Sequence, residues 1–354
     1  MVQVLKGRGA LDNPEGRFAR RTVEAVADGW YLEPPPESIA TELRADTART
    51  VITRNDSPDI PFEQSINPYR GCEHGCIYCY ARPAHAYLDL SPGIDFETKI
   101  FYKLDAARLL RLELSQRGYH CRPLMLGANT DPYQPAERQL QVTRSILEVL
   151  LATRHPVSII TKGTLVLRDL DLLRELAALN LTRVYVSLTT LEPELKRQLE
   201  PRTAAPQARL RVIHELAAAG VPVGVMTAPI IPAINDAELE DLLAAAAAAG
   251  ASRANYVLLR LPYEVADLFR AWLAQHYPER AAHVMSLVNQ ARAGRDNDPR
   301  FGSRMRGTGA WADLLRARFA LACRRLHLSA ERSSALATDQ FLKPRGGGQL
   351  EFAL

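Results

Sequence analysis

From residue 99 to residue 261 short apolar runs alternate with longer segments of helical spacing, and this rhythm restricts the fold more than any other feature of the chain. The runs are "KIFYKL" (99–104), "RPLMLGA" (122–128), "PVSIIT" (156–161), "RVYVSLTT" (183–190), "VPVGVMTAP" (221–229) and "ANYVLLRL" (254–261). Each has the length and composition of a buried or half-buried strand. Residues 105–117, 136–153, 166–179, 192–199, 205–219 and 236–249 separate them and read as helices. Gly220 and Gly250 stand just past two of these helices, where a left-handed residue commonly closes the last turn. Strand–helix units of this length predict a parallel sheet joined by right-handed crossovers. Six units suit a barrel, or an incomplete one, better than a two-layer sandwich.

The flanks differ from this middle section. Residues 1–60 are polar, include "EPPPES" at 33–38, and read as a largely irregular extension wrapped on the surface. The core is expected over 61–290 and an arginine-rich helical segment with a loose tail over 291–354. From residue 271 onward there are 13 Lys and Arg against 7 Asp and Glu, whereas residues 1–60 hold 8 against 10. The basic end fits a polyanionic partner such as nucleic acid, or equally a solvated arginine-rich surface. No apolar segment has the length of a membrane span, and the N-terminus has no apolar signal region. Together with scattered cysteines that do not suggest a disulfide framework, this predicts a cytoplasmic protein with no membrane partner. The oligomeric state is not legible.

Three of the five cysteines, Cys72, Cys76 and Cys79, fall within "INPYRGCEHGCIYCYARPAHAYL", while Cys121 and Cys323 stand apart in apolar contexts. Three thiols on one loop can converge on an inorganic core. Structural zinc sites are closed by four ligands. No second cysteine or histidine pair is present here, so only His85 would complete a Cys3His set. A [4Fe–4S] cluster held by three thiolates keeps one iron open.

"CEHGCIYC" resembles the CxxxCxΦC signature of the radical S-adenosylmethionine superfamily, with Tyr78 as the aromatic Φ. "NPYRGCEHGCIYCYAR" and "NTDPYQPAER" are similar to its spore photolyase-like (DNA repair photolyase-like) branch, over roughly residues 61–290. "KGRGALDNPEGRF" and "RMRGTGAW" further resemble one bacterial subfamily of that branch. The resemblance implies a partial (β/α)6 barrel, a [4Fe–4S] cluster on Cys72, Cys76 and Cys79, and S-adenosylmethionine on the open iron. It also implies a flavodoxin- or ferredoxin-type electron donor, and reductive cleavage of the cofactor to a 5′-deoxyadenosyl radical that takes hydrogen from a substrate.

For the cofactor contacts, the resemblance points to Tyr78 beside the adenine, the pair Thr130 and Asp131 toward the amino group, and Lys162 and Ser187 toward the carboxylate. Arg202 is a weaker match for that carboxylate. Read without the resemblance, Asp131 before Pro132 is also a common turn opener. Lys162 is also an ordinary strand-end lysine, and Ser187 alone means little. One departure matters: where spore photolyase carries its hydrogen-donating cysteine, this chain has Ala128. The substrate is therefore open between nucleic acid and a peptide or small molecule. A non-catalytic, metal-containing nucleic-acid-binding module is the alternative of another class. Arg300, Arg304 and Arg306, in the Gly-rich loop 300–310, are expected phosphate contacts.

Overall fold

The computed structural model describes residues 6–19, 38–329 and 335–344. Most of "EPPPES" and all of Gly346–Gly348 lie outside them, and the loose tail with them; of the extension expected over 1–60, residues 6–19 and 38–60 are described, and Arg8 and Ala10 are buried rather than wrapped on the surface. Ten strands are present among the described residues: β1 (Glu42–Ala45), β2 (Ile52–Arg54), β3 (Gln64–Ile66), β4 (Tyr69–Arg70), β5 (Lys99–Tyr102), β6 (Leu124–Leu126), β7 (Val157–Thr161), β8 (Thr182–Ser187), β9 (Val223–Ile230) and β10 (Arg253–Leu258). Seven form one sheet in the order β10-β9-β8-β7-β6-β3-β2. The six from β3 to β10 in this sheet run parallel, and β2 lies antiparallel against β3 at the edge. With helices between successive parallel strands, this is the partial (β/α)6 barrel expected.

The first barrel strand is not the one the sequence suggests. "KIFYKL" does form a strand, but β5 pairs with β1 and β4 in a separate three-stranded sheet. β3 opens the barrel instead. Its three residues, Gln64, Ser65 and Ile66, are all buried, yet two are polar and the run is too short to show alternation. β1 and β2 come from the stretch read as irregular. Each is three or four residues long and mostly exposed, so neither carries an apolar pattern.

The central strands behave as the parallel arrangement requires. β8 is buried along nearly its whole length and β7 alternates between buried and half-buried positions. The long helix expected over 136–153 is broken: Gln141 adopts φ +50° between Glu137–Leu140 and Val142–Ala152. Gly220 and Gly250 have φ +76° and +106°, as helix-closing residues do.

Two large apolar cores result among the described residues, with a small third cluster of Cys72, Ala81 and Phe96. One lies between the barrel strands and their helices and includes Leu126, Ile159, Val186 and Val225. The second joins Ile77 and Tyr78 of the cysteine loop to the C-terminal helices Val265–His276 and Ala281–Ala291, centred on the fully buried Trp272. The last helix, Ala310–Arg325, covers Tyr256 of β10 through Phe319, with ring centroids 4.7 Å apart. No helix among the described residues is long and apolar enough to cross a membrane.

Candidate functional site

The cysteine loop leaves β4 and reaches the short turn Arg82–Leu88, at the C-terminal end of the first barrel strand. Cys72 and Cys76 are buried and Cys79 is half-buried, and none is in a disulfide. Arg82, fully enclosed beneath the loop, donates through Nε to the Cys76 carbonyl at 3.0 Å and through Nη1 to the Pro92 and Gly93 carbonyls. Its Nη2 pairs with Glu97 at 2.5 Å. Glu97 also accepts the backbone amides of Gly9 and Ala10, each at 2.9 Å. The "GRGA" stretch is thereby strapped under the loop, and Arg8 adds a bond from Nη1 to the Glu97 carbonyl at 2.9 Å. The strap is close: a β-carbon on Gly9 would sit 1.8 Å from the Gly75 carbonyl oxygen.

Burial pushes all three thiols above the ordinary cysteine range, Cys76 to about 12, so an empty loop holds them protonated. Thiolates here need a bound cationic centre, which is how a metal cluster couples to such residues. Among the described residues no three His, Cys, Asp or Glu side chains converge as ligands of one ion would. Thiols around a larger cluster stand further apart than that. His85 is engaged elsewhere, since its Nε2 donates to the Lys99 carbonyl at 3.0 Å and its ring packs edge-on against Phe96.

Facing the loop, at the ends of β7 and β8, Lys162 donates from Nζ to the Ser187 hydroxyl at 3.0 Å and lies 5.9 Å from the centre of the Tyr78 ring. Lys162 has no ion pair among the described residues. The Tyr78 hydroxyl donates to Glu200, which also accepts from Thr189 at 2.7 Å and pairs with Arg209. Arg209 reaches on to the Ser187 carbonyl at 3.0 Å. Burial would raise the Glu200 pKa, but Arg209, Lys162 and the two hydroxyl bonds outweigh it and hold it at about 2. Sequence reasoning missed Glu200 and Arg209; the one signal was "LEPRT", in which only Arg202 stood out. That arginine instead pairs with Glu73 of the cysteine loop at 3.1 Å.

The Thr130–Asp131 turn follows β6. Thr130 donates its hydroxyl to the Tyr69 carbonyl at 2.9 Å. Asp131 accepts from the Thr161 hydroxyl and the Lys162 amide, both at 2.7 Å, and from the Tyr133 amide at 2.9 Å, and lies 3.3 Å from His74 Nδ1. Burial opposes its charge, yet His74 and these bonds hold its pKa at about 2. In this geometry Asp131 ties β6, β7 and the cysteine loop together. Gln134, also unnoticed in the sequence, completes the join: its side chain accepts from the Glu73 amide at 2.9 Å and donates to the Gly71 carbonyl at 3.3 Å.

The three loop arginines have partners within the chain. Arg300 is bidentate to Asp298 and Arg304 bidentate to Asp59. Arg306 donates to Asn255 and stacks 3.8 Å over Tyr256. Arg304 and Arg306 are thereby engaged in the fold, while the Arg300 side chain is two-thirds exposed beside Asp298.

Residues 66–246, just over half of the chain, match the Radical SAM superfamily. The chain is a radical SAM protein. As in the rest of that superfamily, its cofactors are a [4Fe–4S] cluster and S-adenosylmethionine. An uncharacterised protein of Mycobacterium tuberculosis is 43% identical over 233 residues, covering 65% of this chain and 68% of the relative. One from Methanocaldococcus jannaschii is 28% identical over 174 residues, 49% and 62% of the two chains. Among solved structures, a tyrosine-to-phenylalanine mutant of spore photoproduct lyase superposes with a TM-score of 0.58 at 18% identity, covering 81% and 80%. The same lyase complexed with dinucleoside spore photoproduct gives a TM-score of 0.50 at 21% identity, over 67% of this chain and 66% of that one. At these identities the likeness is one of fold, and the fold of this radical SAM protein is that of the photoproduct lyase.

Proposed function

We propose that Cys72, Cys76 and Cys79 ligate three irons of the cluster, and that Lys162 and Ser187 receive the carboxylate of S-adenosylmethionine beside them. When bound and reduced by a flavodoxin- or ferredoxin-type donor, the cluster would supply one electron to the sulfonium of S-adenosylmethionine, giving methionine and a 5′-deoxyadenosyl radical that would take a hydrogen atom from the substrate. The supporting observation is the ammonium of Lys162: a half-buried cation without an ion pair among the described residues, beside the thiol loop and one hydrogen bond from Ser187. Tyr78 is fixed by Glu200 at the floor of this space, while Thr130 and Asp131 set the height of the β6 turn against the loop. In that turn Asp131 contributes its negative charge near a cofactor ammonium even as its oxygens hold the backbone.

The substrate is organic and distinct from the spore photoproduct. Ala128 offers no hydrogen to a product radical, and its carbonyl accepts the hydroxyl of Tyr80.

Anaerobic reconstitution tests the assignment. The wild-type protein should turn brown, hold iron and sulfide, and form 5′-deoxyadenosine from S-adenosylmethionine under dithionite. Cys76→Ala should lose both absorbance and cleavage, whereas Cys121→Ala should keep them. A colourless wild-type protein with one zinc, or a complete cluster in Cys76→Ala, would overturn the proposal.

A further inference from the structure

Arg260 follows the last barrel strand, at the same end as Ala128, Lys162 and Ser187. Its guanidinium carbon stands 5.5 Å from the centre of the Tyr80 ring, and Tyr80 reaches across to the Ala128 carbonyl. Arg260 thus sits where the last strand meets the cysteine loop, on the open side of the incomplete barrel. Tyr80 itself is 45% exposed, so this corner of the mouth opens to solvent.

Among the described residues Arg260 has no ion pair, and its buried Nε has no hydrogen-bond partner. Its Nη1 has only the Met305 sulfur, 3.9 Å away and a weak acceptor. The carboxylate closest to serving it, Asp59, is already bidentate to Arg304. Arg292, its other cationic neighbour, spends its donors on the Leu258, Leu259, Ser303 and Arg304 carbonyls. Burial and the charge of Arg304 act against a guanidinium at this place, with Tyr80 and Asp59 in opposition. Guanidinium stays protonated under such conditions, so a planar fork of donors is held charged and unanswered.

We infer that Arg260 is the substrate's anion anchor: it takes a phosphate-type oxyanion at the open corner of the barrel mouth, beside the exposed face of Tyr80. Three observations converge on it. Among the described residues the cation has no carboxylate of its own, its donors match an oxyanion bidentately, and the arginines first expected to do this each have a hydrogen-bond partner within the chain. Arg260 follows β10, whereas Lys162 and Ser187 of the cofactor set stand at the ends of β7 and β8. The inference rests on the proposed function only in placing the substrate at this mouth.

The test uses the reconstituted full chain with three probes: fluorescein-labelled ten-residue oligodeoxythymidylate, thymidine monophosphate and inorganic phosphate. The wild type should bind the oligonucleotide in a salt-sensitive manner. Arg260→Gln should weaken this about tenfold or more and lower the salt slope by about one unit. Arg300→Gln, on the outer loop, should match wild type. Binding of the monophosphate or phosphate without the oligonucleotide, again lost in Arg260→Gln, supports the anchor with a small phosphorylated substrate. Equal binding by wild type and Arg260→Gln, or no binding of any phosphate probe with binding only of an acidic peptide, overturns it. Cluster absorbance and cofactor cleavage, read on the same samples, should be unchanged in Arg260→Gln. Their loss in the wild type would instead sink the cluster assignment.

Discussion

Lys162 keeps its charge although it is half-buried. Burial works against the ammonium, but the Glu200 carboxylate more than offsets it, so its pKa lies above the ordinary value. The two acidic residues of the site are treated differently. Glu200 and Asp131 are each surrounded by donors, whereas the one nitrogen of Lys162 has a single neutral hydroxyl. A cofactor carboxylate would complete it. Lys162→Ala should therefore leave iron content at the wild-type level and weaken S-adenosylmethionine binding. Losing a charge-assisted bond costs about 1.5–3 kcal/mol, or ten- to a hundredfold in affinity. Equilibrium binding to the reconstituted protein reads this directly, and wild-type affinity in Lys162→Ala would remove the residue from the cofactor site. Asp131→Ala should differ in kind. It strands the Thr161 hydroxyl and the Lys162 and Tyr133 amides, so its first effect should be on melting temperature.

At the scale of elements, the N-terminal segment is what holds the cysteine loop from below. Glu97, on the short helix Ile94–Thr98, is fully buried and gathers Arg82 and the Gly9 and Ala10 amides into one cluster. Removing one member of such a buried pair costs ~3–5 kcal/mol because the other charge is left alone. Gly9 is the steric counterpart. Any side chain there meets the Gly75 backbone, and Gly75 cannot move freely because its φ of +66° already turns the loop between two cysteines. Gly9→Ala should destabilise the protein by about 3 kcal/mol or more, the range of severe overpacking. It should also reduce the iron bound on reconstitution. Gly118→Ala is the control, since nothing lies within 4 Å of its added carbon. Normal cluster content in Gly9→Ala would show that the strap is dispensable to the loop.

At the scale of the whole molecule, the open side of the barrel is closed by chain that comes from both ends. The Leu258 amide of the last strand donates to the Met305 carbonyl at 2.9 Å, and Arg304 reaches Asp59, ahead of the first strand, at 2.6 Å. Just ahead of β7, His155 is fully enclosed, its Nδ1 donating to the Pro156 carbonyl at 3.1 Å and its Nε2 2.6 Å from the Tyr119 hydroxyl. Burial drives its pKa down to about 4, against a smaller pull upward from the Pro156 carbonyl. Below pH 6.5 the unfolded chain binds a proton that the folded chain refuses, so the stability contributed above pH 6.5 is lost as pH falls toward 4. For one such group the loss is roughly 3 kcal/mol across that window. Thermal unfolding of the cluster-free protein between pH 7 and pH 4 should show it, and His155→Gln should flatten the profile. An unchanged slope in that variant would assign the loss to other groups.

Much of this was legible in the sequence. Five of the six barrel strands and the positions of the helices follow from apolar spacing, because a parallel strand enclosed on both faces must be written in apolar residues. The thiol loop is equally local: three cysteines in eight residues carry their meaning in their spacing. What lay beyond the sequence has one physical origin, contacts between residues far apart along the chain. β3 is too short and too polar to announce itself, and it becomes the first barrel strand only because β6 and β2 pair with its two edges. β5 has a strand's pattern, but its partner β1 lies more than fifty residues upstream, so its place outside the barrel is a tertiary decision. Charge is the clearest case. Composition counts every arginine alike, yet folding gives Arg300, Arg304 and Arg306 oxygen partners and leaves Arg260 with no carboxylate among the described residues. Which cation is available to a substrate is fixed by where the carboxylates end up, and only the folded chain determines that.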